Sequence, residues 1–321
     1  MDHMQGDCPW LPLESEYCKG LGAGLIVLGT LGAGLNGWLI STLLLSSLLN
    51  AKTHLLTLNL ALASLGRAVL AGFPFTGTST LAGRWLFGPN CCQLFAFLRQ
   101  FFSLAQLINL AVIAVERALI VKYPRIGDKL SVRIYVAGIT LCWLSSVAWS
   151  IPPLTGWGRY NCDPTGMSCD LDWRPISGSQ LSYNLCFLLL GGALPAMLTL
   201  ASAWQAVHSK NMAAVRTERG LSHVEQHALA KAAMVLIVTF LLVWMPHALQ
   251  LLWILTGKGR TLPEALAIMS PLSAEASTMV PTLVYLACPT RVRGALMGAL
   301  VVTRRPIKRR PRHSIRLTEI K

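Results

Sequence analysis

Four ionisable side chains interrupt otherwise apolar stretches of the chain: Arg67, Arg99, Arg117 and Glu275. Each costs about 2.5–3.5 kcal/mol to place mid-membrane on insertion scales, so such residues usually mark a functional interior. Arg99 and Arg117 lie 18 residues apart on one expected helix, which is five turns and about 27 Å, so they share a face at opposite ends. Glu275 lies about 12 residues into the last apolar stretch and Arg67 about 13 into the second. Arg99 comes to a similar depth, roughly 10 Å below Cys92. If these helices are neighbours, Glu275 neutralises an arginine and lowers the cost of burying both. That constellation suits ligand recognition in a low-dielectric cavity; snorkelling to the headgroups or a purely structural pair is the alternative for Arg67 and Arg99. No acid/base pair, nucleophile triad, phosphate loop or metal cluster accompanies it, which argues against an enzyme. Asp163 with Glu275 would bind a cation only against the repulsion of the nearby arginines.

The elements that must position these residues are membrane helices. Of 321 residues, 53% are hydrophobic and 13% charged, against about 25% charged in soluble proteins, and the mean hydropathy is +0.52. Seven stretches reach spanning length: 21–48, 54–80, 89–122, 132–154, 180–209, 224–256 and 263–287. The fold class expected is an all-α membrane protein, a seven-transmembrane helix bundle followed by a short amphipathic eighth helix. Residues 1–20 are expected outside, 21–287 in the bundle, 288–300 in the eighth helix and 301–321 in a basic cytoplasmic tail. The first residues are acidic and lack the basic-then-apolar plan of a cleaved signal peptide.

Lys and Arg set the orientation. With the amino terminus outside, cytoplasmic segments carry 19 basic residues and outer ones 6. This accounts for the net charge of +14 without nucleic acid, since basic residues beside the last span attract anionic lipid. The outer loop GWGRYNCDPTGMSCDLDW lies where disulfides form. A Cys92–Cys169 bridge would pin it over the bundle, with Cys91 and Cys162 as alternative partners, and Cys8 with Cys18 is a candidate second bridge.

Several segments resemble, in register, the rhodopsin-like class of G-protein-coupled receptors, and specifically the opsins. The likeness runs from Asn36 to Tyr285. NLALAS at Asn59–Ser64 resembles Asn-Leu-Ala-x-Ala-Asp, and Glu116-Arg117 resembles the Glu/Asp-Arg-Tyr motif. Trp143 fits the tryptophan of the fourth span, and Pro195 the proline of the fifth. SIPPLTGW at Ser150–Trp157 is similar to the opsin exit from the fourth span. Val243–Pro246, VWMP, is similar to Cys-Trp-x-Pro. Ser273–Tyr285 resembles the segment Ala-Lys-(x)5-Asn-Pro-x-x-Tyr. The loop GMSCDLDW is similar to the strand plug lidding a retinal pocket and leans toward the neuropsin-like, non-visual branch.

The departures carry as much meaning. Glu275, ten residues before Tyr285, stands where opsins carry the retinal-binding lysine, and a carboxylate cannot form a Schiff base. No lysine lies mid-span, so retinal would be held noncovalently. Phe95 occupies a counterion position of visual opsins, while Arg99, one turn deeper, is expected to face Glu275 across the pocket. Asp163 matches the alternative counterion position and is either a solvated loop charge or a further polar group in the cavity. Ser64 replaces the aspartate of the sodium cluster, Pro281-Thr282 replaces Asn-Pro, and Ala203 and Ala118 replace tyrosines.

The resemblance implies a two-state receptor. Its pocket is expected to be lined by Arg99, Gln100, Ser103 and Asp163, with Trp244, His247 and Glu275 facing them and Arg67 behind. Trp244 and Pro246 form the expected hinge, with Pro281 and Tyr285 as the activation motif of the seventh span. Glu116, Arg117, Glu225 and Lys231 are the expected G-protein contacts. The partners implied are a heterotrimeric G protein, membrane lipids and a small apolar ligand, retinoid or other, in a plasma-membrane protein. A non-signalling retinoid-binding or isomerase-like relative is the alternative. A transporter or channel ranks below both, since the sequence shows no internal repeat.

Overall fold

The computed structural model describes residues 13–123, 129–174, 177–208, 223–258 and 261–304. Helix α1, Ser15–Leu45, is the first span. Helices α2, His54–Leu70, and α3, Phe73–Leu81, form the second. The third span is α4, Gly88–Lys122, and the fourth α5, Val132–Ser150. The fifth joins α6, Gly178–Cys186, through a π-helical stretch Phe187–Ala193 to α7, Leu194–His208. The sixth is α8, His223–Trp253, ending in a π turn Ile254–Lys258. The seventh is assembled from α9, Glu264–Ala276, a 3-10 turn Ser277–Met279, and α10, Val280–Ala287. A further helix, α11, runs Arg291–Arg304 and buries Val292 and Leu296 against α1 and Tyr285. The rest of the basic tail lies outside the described residues.

Six of the seven spans, the second and fifth taken across their breaks, are long and apolar enough to cross a bilayer; the seventh reaches that length when its three pieces are joined. The interruptions have local causes. Pro195 lacks the amide that would bond the Gly191 carbonyl, and the backbone widens into π turns just before it. Pro281 likewise frees the Ser277 carbonyl, and a 3-10 turn precedes it. There the Ser277 hydroxyl donates to the Ala274 carbonyl at 2.7 Å and the Thr278 hydroxyl to that of Glu275 at 2.8 Å.

In the second span the break falls at Gly72. A β-carbon there would lie 2.7 Å from both the Ala68 carbonyl oxygen and Glu275 Oε1. Only glycine admits this approach, and it brings the seventh span hard against the kink.

Buried polar groups tie the bundle together, as expected where apolar contact alone cannot choose between lipid and protein. Asn36 Nδ2 donates to the Thr278 carbonyl at 2.7 Å, and Gln106 Nε2 to Ser64 Oγ at 2.9 Å. Asn59 Nδ2 donates to Asn109 Oδ1 at 3.1 Å, and Asn59 Oδ1 accepts from Trp143 Nε1 at 3.0 Å.

Over one end of the bundle lies a hairpin of β1, Tyr160–Cys162, and β2, Cys169–Leu171, in antiparallel register with Asn161 opposite Asp170. Cys92 and Cys169 form a disulfide with a Cα–Cα distance of 5.4 Å, fastening β2 to the start of α4. Of the alternative partners, Cys91 is a free thiol and Cys162 is bonded elsewhere. The expected Cys8–Cys18 bridge is absent. Cys18 is a buried free thiol whose sulfur lies 3.6 Å from that of Met167, covered by the hairpin turn, and Cys8 lies outside the described residues.

Candidate functional site

Beneath the hairpin, the third, fifth and sixth spans enclose a cavity of about 310 Å³. Of the expected pocket residues, Arg99, Gln100, Ser103, Trp244 and His247 line it, while Arg67, Glu275 and Asp163 do not. The remaining wall is largely apolar. It includes Leu171 and Trp173 of the hairpin, Phe240 of the sixth span, and Gly191 and Gly192 of the π stretch. Asp170 is the acid on this wall.

Arg99 finds its partner in the hairpin and not, as expected, on the seventh span. Its Nε lies 3.5 Å from Asp170 Oδ2, and one terminal nitrogen donates to Ser168 Oγ at 3.0 Å. The Cys92–Cys169 bridge explains this pairing. Arg99 lies two helical turns below Cys92, and Asp170 is the residue after Cys169. Asp170 escaped the sequence reading, although the bridge and the seven-residue spacing together were a usable signal. Gln100 is held by hydrogen bonds to the Trp149 carbonyl and the Tyr183 hydroxyl, each 2.7 Å. His247 Nδ1 lies 2.9 Å from Ser270 Oγ.

Glu275 sits behind the wall, only 3% exposed, and its charge partner is Arg67 at 3.8 Å. Its Oε1 lies against Gly72, at the start of α3, where the helix dipole favours a carboxylate. Arg67 donates to Ser103 Oγ at 3.0 Å and to the Ala274 carbonyl at 2.8 Å, and its guanidinium carbon lies 5.3 Å from the centre of the Trp244 ring. Two opposite-charge pairs therefore stand in series from the hairpin to the seventh span: Asp170 with Arg99, then Arg67 with Glu275.

Asp163 closes the hairpin turn. Its carboxylate accepts from the Thr165 hydroxyl at 2.8 Å and from the Met167 and Ser168 amides at 3.2 Å. Burial pushes its pKa above the ordinary carboxylate value, against the pull of these hydrogen bonds and of Arg99. Asp172 behaves oppositely. Burial would raise its pKa, but hydrogen bonds from Arg174 and Arg159 outweigh that and hold it low. The Asp172 carbonyl accepts from Gln180 and Asn184, locking the hairpin to α6.

At the opposite end of the bundle, Arg117 is bound by its neighbour Glu116 and by Thr53, and donates to Gln226 Oε1 of the sixth span at 2.9 Å. Tyr135 donates to Glu116 at 2.7 Å. Glu225 accepts from the Arg291 amide at 2.7 Å, whereas Lys231 is exposed. The Tyr285 hydroxyl lies 2.9 Å from that of Thr57. Gln226, like Asp170, was not singled out by the sequence; a lone glutamine at a helix start carries no distinguishing pattern. The sixth span thus runs from Gln226 past Pro246, inside the helix, with Trp244 at the cavity.

The family model "7 transmembrane receptor (rhodopsin family)" matches residues 35–286. The visual pigment-like receptor peropsin of Mus musculus is 28% identical over 253 residues, covering 78% of this chain and 75% of that protein. Opsin-5 of Homo sapiens is 28% identical over 293 residues, covering 88% and 81%. The crystal structure of squid rhodopsin superposes with a TM-score of 0.82 at 24% identity, covering 91% of this chain and 88% of the other. With a bundle that agrees in fold and a match across the membrane domain, the chain belongs to the rhodopsin family of seven-transmembrane receptors, and its relatives are opsins.

Proposed function

We propose that this rhodopsin-like receptor holds retinal or another small apolar ligand noncovalently beneath the hairpin and transmits its presence to a heterotrimeric G protein at the opposite end. The observation that carries the noncovalent reading is Glu275, an acid ten residues before Tyr285, engaged by Arg67. No lysine lines the described cavity, so the amine a Schiff base requires is missing. The chain's own residues supply shape and polarity. Phe240, Trp244 and Trp173 give an apolar bed; Arg99, Ser103 and His247 give the few polar groups that orient a ligand.

The transmission step follows from the sixth span. A ligand pressing on Trp244 acts beside Pro246, where the helix lacks one backbone hydrogen bond. The far end of the same helix carries Gln226 on Arg117 and Glu225 on Arg291. Swinging that end outward breaks both contacts and opens the face where Glu116 and Arg117 lie. This reading places the hairpin outside the cell and α11 in the cytoplasm, in line with the distribution of basic residues. Lys231 and the basic tail serve the cytoplasmic face and its lipids.

Reconstitution with 11-cis- and all-trans-retinal tests the proposal. The absorption spectrum stays that of the free aldehyde, and borohydride or hydroxylamine finds no adduct. A red-shifted band in the unmutated protein removes the noncovalent reading. A second reading, a retinoid-binding protein that does not signal, is favoured by Ala203 and Ala118, both buried and without the hydroxyls that relatives of this class place there. Retinoid binding without nucleotide exchange on any G protein would decide for it.

A further inference from the structure

The charged groups around the cavity cancel. Arg99 faces Asp170 on the wall, and Arg67 faces Glu275 behind it. His247 is engaged with Ser270, and an imidazole is mostly neutral at pH 7. Asp163 is turned into the hairpin, its carboxylate held by three loop donors. A ligand that brings a full charge into this apolar space therefore leaves one buried charge uncompensated, which is costly.

The hydrogen-bonding capacity is not balanced in the same way. Asp170 spends Oδ1 on the Leu171 amide at 2.8 Å and Oδ2 on Arg99. Arg99 has five N–H donors; among the described residues its contacts are one with Asp170 and one with Ser168. The wall thus offers spare donors from a guanidinium whose charge is already answered. A carboxylate ligand would compete with Asp170 for Arg99 and strand one of the two acids. An amine would compete with Arg99 for Asp170. A neutral acceptor oxygen takes the unused donors and displaces nothing.

We infer that the cavity selects apolar ligands whose polar end is a neutral hydrogen-bond acceptor, an ester or carbonyl oxygen, with Arg99 as the donor and Asp170 as the group that rejects acids. This rests on the proposed ligand site and names the head group it accepts. It is independent of whether the apolar part is a retinoid.

The test uses the full-length protein in lipid nanodiscs and reads the change in tryptophan emission, in intensity and in wavelength, as each probe is titrated in, since Trp173 and Trp244 line the cavity. Two sets of probes share a skeleton and differ at the head: methyl retinoate, retinoic acid and retinylamine; and methyl palmitate, palmitic acid and hexadecylamine. The ester of a bound skeleton should bind at least about tenfold more tightly than its acid or amine. Asp170→Asn should raise the acid's affinity about tenfold, and Arg99→Gln should do so for the amine. An acid or amine that binds the unmutated protein best overturns the inference, and that measurement needs no variant to fold. If no retinoid binds while the palmityl series keeps the expected order, the retinoid reading falls and the head-group rule is supported. No order in either series overturns the rule.

Discussion

Arg67 touches four spans at once: it stems from the second, donates to Ser103 of the third, lies over Trp244 of the sixth, and meets Ala274 and Glu275 of the seventh. A buried ion pair is weak evidence of net stabilisation, but breaking one by removing a single partner leaves an unanswered charge. Arg67→Ala and Glu275→Gln should each lower unfolding stability by about 3–5 kcal/mol, read from thermal melts in detergent. The double variant should cost less than the sum; full additivity would show that the two do not act together. At this scale the sequence exposed the charged residues and their depth, because a charge in an apolar run is conspicuous. It did not expose their pairing. Arg67 and Arg99 lie at similar depth, and only the fold shows that the hairpin reaches Arg99 first and leaves Glu275 to Arg67.

Among the elements, the hairpin and the sixth span carry the two ends of the proposed mechanism. Asp172 anchors the hairpin through Arg159 at 2.7 Å and Arg174 at 2.9 Å. Its pKa is depressed in the folded protein, so its contribution to stability is present above the ordinary carboxylate value and is lost as pH falls through the lowered one. Asp172→Asn should weaken the protein at neutral pH and flatten the acid limb of its stability profile. An unchanged acid limb would mean the anchor does not depend on the charge. In the sixth span, Gln226→Ala removes one hydrogen bond to a charged group, worth about 1.5–3 kcal/mol. Basal nucleotide exchange on a coupled G protein should rise about tenfold, and no rise would show that Gln226 does not restrain that helix. The existence of the spans was legible from hydropathy because each must be apolar over about 20 residues. The kinks were less so. Pro195 and Pro281 mark their own breaks, but Gly72 reads as an ordinary residue until the seventh span is seen to lie against it.

Across the whole molecule, the Cys92–Cys169 bridge closes a loop of 77 residues and holds the lid on the cavity. Exchanging both cysteines for serine should cost about 2–5 kcal/mol and weaken ligand binding beyond the loss of stability, because Asp170 would no longer be held beside Arg99. Retained affinity in the folded variant would show that the lid places itself without the bridge. The fit of Glu275 into the kink also has a meaning for any attempt to turn this receptor into a pigment. An amine at position 275 would inherit Arg67 as a like-charged neighbour, a helix start that favours anions, and a berth outside the cavity wall. Grafting a chromophore attachment point onto this scaffold is therefore a problem of at least two positions, with Arg67 neutralised alongside Glu275→Lys.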